Sequence, residues 1–207
     1  LGCVGLRAWL PEASAAPHVA AGVVRGGFTT KVAVYARARV LRGGDGAAVP
    51  PGDGSIVWTG GDGLVVWLGA AMVLFGVGQA VLQTDVRRLL SYHIVSQVGY
   101  MVVAVGLGTA AGLAGASAHL IAHVLYKGLL FMIAGAIVVR VGEASLSRLG
   151  GLARAMPLTF AAFLVASLAI AGAPGFSGFV SKGLVLEAGA STAGGAGPLW
   201  WARVAGG

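Results

Sequence analysis

Long apolar runs with no polar alternation dominate the chain. They predict helices over about 18–41, 62–83, 86–108, 111–140 and 157–190. Each run holds the roughly 20 residues that cross about 30 Å of hydrocarbon at about 1.5 Å per residue. Inside a bilayer only helices and closed barrels satisfy every backbone group, and barrel strands would alternate apolar with polar. The predicted fold class is therefore all-α, a polytopic transmembrane helix bundle forming a single membrane domain over 1–207. Between the runs lie a Gly/Pro/Asp loop at 42–61, the charged turn Thr84-Asp85-Val86-Arg87-Arg88, and a charged segment at 141–156. By alternation, the turn with Arg87 and Arg88 shares a membrane side with Arg140, Arg148 and Arg154. Counting Lys and Arg places that side inside.

The fifth run is interrupted. Gly172, Pro174, Gly175 and Gly178 fall close together between Ala171 and Lys182. Proline lacks a backbone donor and clashes with the preceding turn, and glycine adds backbone freedom. These residues predict a helix discontinuous near 171–182. Backbone freed at that depth is tolerated where it is buried in protein or lines a wet cavity.

Composition changes the picture in one respect. The chain is 57% hydrophobic and 10% charged, with 36 glycines among 207 residues and a mean hydropathy of +0.87. Small residues in apolar runs suit helices that pack closely in lipid. The net charge is +7, but most arginines flank apolar runs. They read as topology anchors, so nucleic acid is not an expected partner. The lone Cys3 forms no internal disulfide framework. The chain begins at Leu1 without a signal-peptide pattern, and a fragment of a longer membrane protein is expected. No phosphate loop, iron–sulfur cysteine cluster or dinucleotide fingerprint is visible, so no cofactor is expected.

The lysines are the informative residues. There are three, Lys31, Lys127 and Lys182, and each lies inside an apolar run. An ionisable group at bilayer depth costs about 2.5–3.5 kcal/mol on insertion scales, which makes it a functional candidate by default. His119, His123 and Lys127 follow at i, i+4 and i+8. On a helix they form one stripe spanning about 12 Å. Imidazole can accept at one nitrogen while donating from the other, and a buried lysine gives up its proton more readily. The stripe is a candidate proton relay; structural hydrogen bonding between helices is the plainer alternative. Two histidines at i, i+4 also suit zinc, but no third ligand is evident and no metal is expected. Ser91, Tyr92, His93, Ser96, Gln97 and Tyr100 give the third run a polar face, which is more often helix–helix hydrogen bonding than a pathway. Arg25, His93 and Glu187 receive no role.

Four blocks, in order along nearly the whole chain, resemble one family. They are Trp9-Leu10-Pro11-Glu12-Ala13 with Ala16-Pro17 and Lys31-Val32-Ala33-Val34-Tyr35; Gln83-Thr84-Asp85-Val86-Arg87-Arg88-Leu89-Leu90-Ser91-Tyr92 with Ser96-Gln97-Val98-Gly99-Tyr100; His119, His123 and Lys127-Gly128-Leu129-Leu130-Phe131; and Leu149-Gly150-Gly151-Leu152 with Met156-Pro157, then Ala171-Gly172 through Ser181-Lys182. The pattern is similar to the antiporter-like membrane subunits of respiratory complex I, Mrp-type cation/proton antiporters and membrane-bound hydrogenases, nearest in style to the Mrp-type D subunits. The resemblance implies part of a roughly fourteen-helix inverted-repeat fold with a midplane row of lysines and histidines. Lys31 would be the connecting lysine, His119, His123 and Lys127 the central relay, and Lys182 the group on the discontinuous exit helix. The first-channel lysine of the family would fall one residue before Leu1, with its glutamate further upstream. Arg7, Ser14, Arg25 and His93 depart from the pattern; His93 stands where Ser is usual.

The expected function is proton translocation along this relay, as Na⁺/H⁺ antiport or redox-coupled pumping. No bond chemistry and no catalytic residue are expected in the chain, even as a subunit of an NADH-quinone oxidoreductase-type complex. The expected partners are other membrane subunits, protons, Na⁺ as a second ion, and the lipid of a prokaryotic plasma membrane. The alternative is a non-conducting structural membrane subunit.

Overall fold

The computed structural model describes residues 63–192, together with the isolated helical positions Val32 and Tyr35. Lys31, Arg25 and the rest of the expected first helix lie outside the described residues. Within 63–192, six α-helices follow one another: α1 (Leu64–Val81), α2 (Val86–Gly106), α3 (Ala110–Val141), the short α4 (Leu152–Ala155), α5 (Pro157–Ala171) and α6 (Ser177–Thr192). A 3-10 turn, Leu146–Arg148, precedes α4. Among the described residues there is no strand, only an isolated antiparallel bridge between Asp85 and Ser145. By length and apolar composition α1, α2 and α3 can each cross a membrane.

Local chemistry sets the helix ends. The Asp85 carboxylate accepts from the backbone N–H groups of Arg87 (2.8 Å) and Arg88 (3.0 Å), capping α2. The Thr109 hydroxyl accepts from Gly112 N–H at 3.0 Å and starts α3. Both satisfy donors that a helix start leaves without partners. Pro157 opens α5, where its missing N–H costs nothing. The turn before α2 and the segment after α3 are stitched together. Val86 N–H donates to Ala144 O (3.1 Å) and Leu146 N–H to Thr84 O (2.8 Å). The arginine-flanked ends of α2 and α3 therefore lie side by side at one end of the bundle.

α1 and α2 pack as an antiparallel pair through small residues. A Cβ on Gly99 would come within 2.8 Å of Gly69 O, and one on Gly69 within 2.7 Å of Val103 Cγ2. Such backbone approach is how helices associate where hydrocarbon offers no hydrophobic drive. α3 packs against α2, α5 and α6 and is the centre of the bundle. The core between α2, α3 and α5 contains Ile94, Val95, Tyr126, Leu130, Phe131 and Ala166.

Burial is inverted relative to a water-soluble protein. Leu74, Val81, Leu125, Val139 and Leu158 are two-thirds or more exposed, whereas His119, His123 and Lys127 are 0% exposed. A protein that turns its apolar side chains outward and its ionisable ones inward is built for lipid.

Candidate functional site

The interior polar residues gather where α2, α3 and α6 meet. α3 contributes His119, His123 and Lys127 on one face, as a 3.6-residue period requires. α2 runs antiparallel to α3, and its register is fixed at two points. The Lys127 Nζ donates to the Leu90 carbonyl at 2.9 Å, and the His119 Nε2–H donates to Gln97 Oε1 at 3.1 Å. His123, between them on α3, is therefore level with the His93–Ile94 step of α2. The His123 ring stands edge-on to Tyr126 at 5.3 Å between centroids and is tilted to His119 at 6.1 Å. Tyr100 meets the other side of His119 at 6.4 Å.

The break supplies the other end of the row. α5 stops at Ala171 because Gly172 takes φ +83°, a left-handed conformation that glycine adopts without strain. Gly172 N–H and Ala173 N–H both turn back to Leu168 O, at 3.1 and 3.0 Å, which closes the helix end. Pro174 and Gly175 form the tip, with Gly175 at φ +88°. α6 then starts so close to α5 that a Cβ on Gly178 would overlap the Ala169 carbonyl oxygen. This contact seats Lys182 beside the end of α5, and its Nζ donates to the Ile170 carbonyl at 2.6 Å. The last carbonyls of a helix lack partners and carry the negative end of its dipole, so an ammonium there is favoured. One residue earlier, Ser181 reaches His119 Nδ1 at 3.0 Å.

Four of the five predicted relay residues thus come together. His119, His123 and Lys127 form a buried row, and Lys182 adjoins it through Ser181. Lys31 lies outside the described residues. The predicted break residues Gly172, Pro174, Gly175 and Gly178 all sit at the junction of α5 and α6. Several participants carry no distinct signal in the sequence. Gln97 is visible there only as part of a polar face, Ser181 only as part of a motif, and the Leu90 and Ile170 carbonyls have no side-chain signature. His93 is on the same face of α2 as Leu90 and Gln97. Its Nδ1 is buried and meets no hydrogen-bond partner among the described residues, and it lies within electrostatic reach of Lys127, Lys182 and His119. Ser91 and Ser96 spend their hydroxyls on their own helix, donating to Arg87 O (2.8 Å) and His93 O (2.9 Å).

The fold and this interior define an integral, multi-pass membrane protein whose ionisable side chains line up at the centre of its helices. Residues 1–202 match the family model for the transmembrane region of NADH:quinone oxidoreductase and Mrp antiporter subunits, and the chain belongs to that family. It is 37% identical over 181 residues to the D subunit of the Na⁺/H⁺ antiporter of Alkalihalophilus pseudofirmus, covering 87% of this chain and 35% of that protein. It is 38% identical over 191 residues to the N subunit of the NADH-quinone oxidoreductase of Desulforudis audaxviator, covering 89% and 36%. A chain of the Mrp complex from Dietzia sp. DQ12-45-1b superposes with a TM-score of 0.80 at 35% identity, covering 93% of this chain and 34% of that one. The chain spans about a third of the length of these relatives. It is an antiporter-like membrane subunit.

Proposed function

We propose that this chain passes protons along the row Lys127, His123, His119 and Lys182, as part of a multisubunit complex in a prokaryotic plasma membrane. Lys31 would extend the row on its other side. The observation that carries the reading is the complete burial of two imidazoles and an amine on one face of α3. The partners of His119 and Lys127, which are Gln97, Ser181 and the Leu90 carbonyl, are all uncharged, and an N–H donates to a carbonyl whether the amine is charged or not. His119 and Lys127 can therefore each change charge without losing their place. Coupling to Na⁺, as the name of the Alkalihalophilus relative indicates for that protein, or to a redox partner would be set by the neighbouring subunits.

The test is proton flux in proteoliposomes containing the full-length protein in its complete assembly. Lys127→Ala and Lys182→Ala are each expected to lower flux by roughly a hundredfold, the low end of what a positioned proton-transfer group contributes. Unchanged flux in both variants would leave the chain as a structural subunit.

A further inference from the structure

The Ser181 hydroxyl sits between two acceptors and has one proton to give. Its Oγ is 3.0 Å from His119 Nδ1 and 3.3 Å from the Gly178 carbonyl in the first turn of α6. The other face of His119 is fixed, since Nε2–H donates to Gln97 Oε1. A neutral His119 therefore has only Nδ1 as acceptor, and the Ser181 O–H must point at it. When His119 takes up a proton, that proton ends on Nδ1. Nδ1–H then donates to Ser181 Oγ, and the Ser181 O–H has to turn away. The acceptor within its reach is Gly178 O. No bond of Ser181 breaks in this exchange; one O–H rotates, and the proton comes from a neighbouring relay group.

We infer that Ser181 is a positioning residue that reports the charge of His119 to the helix break. Gly178 is the residue wedged against Ala169 and Gly172, and Lys182 hangs from the same turn. Donating to Gly178 O tightens that turn when His119 is charged and releases it when His119 is neutral. The amine of Lys182 is thereby presented differently to the row in the two states. The titratable rings beside His119 are His123 of α3 and Tyr100 of α2, with His93 of α2 within electrostatic reach; Lys127 follows on the same face of α3, and Lys182 follows Ser181 on α6.

This inference deepens the relay reading, because it requires His119 to gain and lose a proton. Its test does not depend on transport. Backbone hydrogen exchange at 178–182 is measured across pH in the full-length protein in its assembly, for the wild type, Ser181→Ala and Ser181→Thr, beside flux. The wild type should show a step in protection of the break at one pH, beyond the intrinsic pH dependence of exchange. Ser181→Ala should lose the step and lower flux by roughly fivefold, the factor that one net hydrogen bond supplies. Ser181→Thr, which keeps the hydroxyl, should restore both. A step that survives in Ser181→Ala, or a threonine variant that behaves as alanine does, overturns the inference. Flux that ignores Lys127→Ala while the step is present would instead overturn the relay and leave the hydroxyl switch standing.

Discussion

Gly178→Ala is the most direct perturbation of the break. The new methyl would overlap the Ala169 carbonyl oxygen, 3.1 Å from Ala169 C and 3.5 Å from Gly172 Cα. The obstacle is backbone at a closed helix end, so α6 has to move. A shift of roughly 1 Å suffices to stretch the Lys182–Ile170 bond (2.6 Å) and the Ser181–His119 bond (3.0 Å) beyond useful length. One involves a charged donor and one is neutral, so together they are worth about 2–4 kcal/mol. At about 1.4 kcal/mol per decade, the population with an intact break falls roughly thirtyfold to a thousandfold. Flux per assembled complex in proteoliposomes should fall by the same factor, with assembly checked by native electrophoresis. Gly128→Ala is the control. Gly128 adjoins Lys127, yet a Cβ there meets nothing within 4 Å, and alanine in mid-helix is favoured by about 0.5–1 kcal/mol. Wild-type flux in Gly178→Ala, or equal damage in Gly128→Ala, would refute the reasoning.

Other outcomes follow from the same structure. Asp85→Ala removes the cap of α2 and should cost about 1 kcal/mol of stability, read by thermal unfolding of the purified assembly. Gly99→Val should separate α1 from α2 and be tolerated far less than Gly128→Ala, read as loss of assembled protein. The part-exposed Glu143 carboxyl is held below its ordinary value of 4.5, first by the Arg148 guanidinium at 2.9 Å and then by the Ser145 and Ala144 N–H groups. Its contribution is complete above that ordinary value and is lost as pH falls through the lower folded one. Amide protection at Ala144 and Ser145 should therefore drop on acidification in the wild type and lose this dependence in Glu143→Gln.

The stripe on α3 was legible because a period of 3.6 brings residues four apart onto one face whatever surrounds them. The break was legible because proline and glycine act locally. What could not be read from the chain is set by register between helices. Gln97 meets His119 only because α2 is antiparallel to α3 and Leu90 is level with Lys127. Ser91 and Ser96 belong to the same polar pattern, yet they bond to their own helix, and the pattern does not separate the two fates. Both described lysines donate to main-chain carbonyls, which every residue possesses, so no letter of the sequence marks those acceptors.

The row on α3 also has a direction. His119 and Lys127 are eight residues apart on one helix, which is about 12 Å along its axis. Measured along the membrane normal, that is at most about two-fifths of a roughly 30 Å hydrocarbon core. A full transmembrane voltage of 100 mV does about 2.3 kcal/mol of work on one elementary charge. A proton handed along the stripe would therefore exchange at most about 0.9 kcal/mol with the electric field for each 100 mV. On the proposed relay, the same three side chains would also make the passage of charge sensitive to how strongly the cell is polarised.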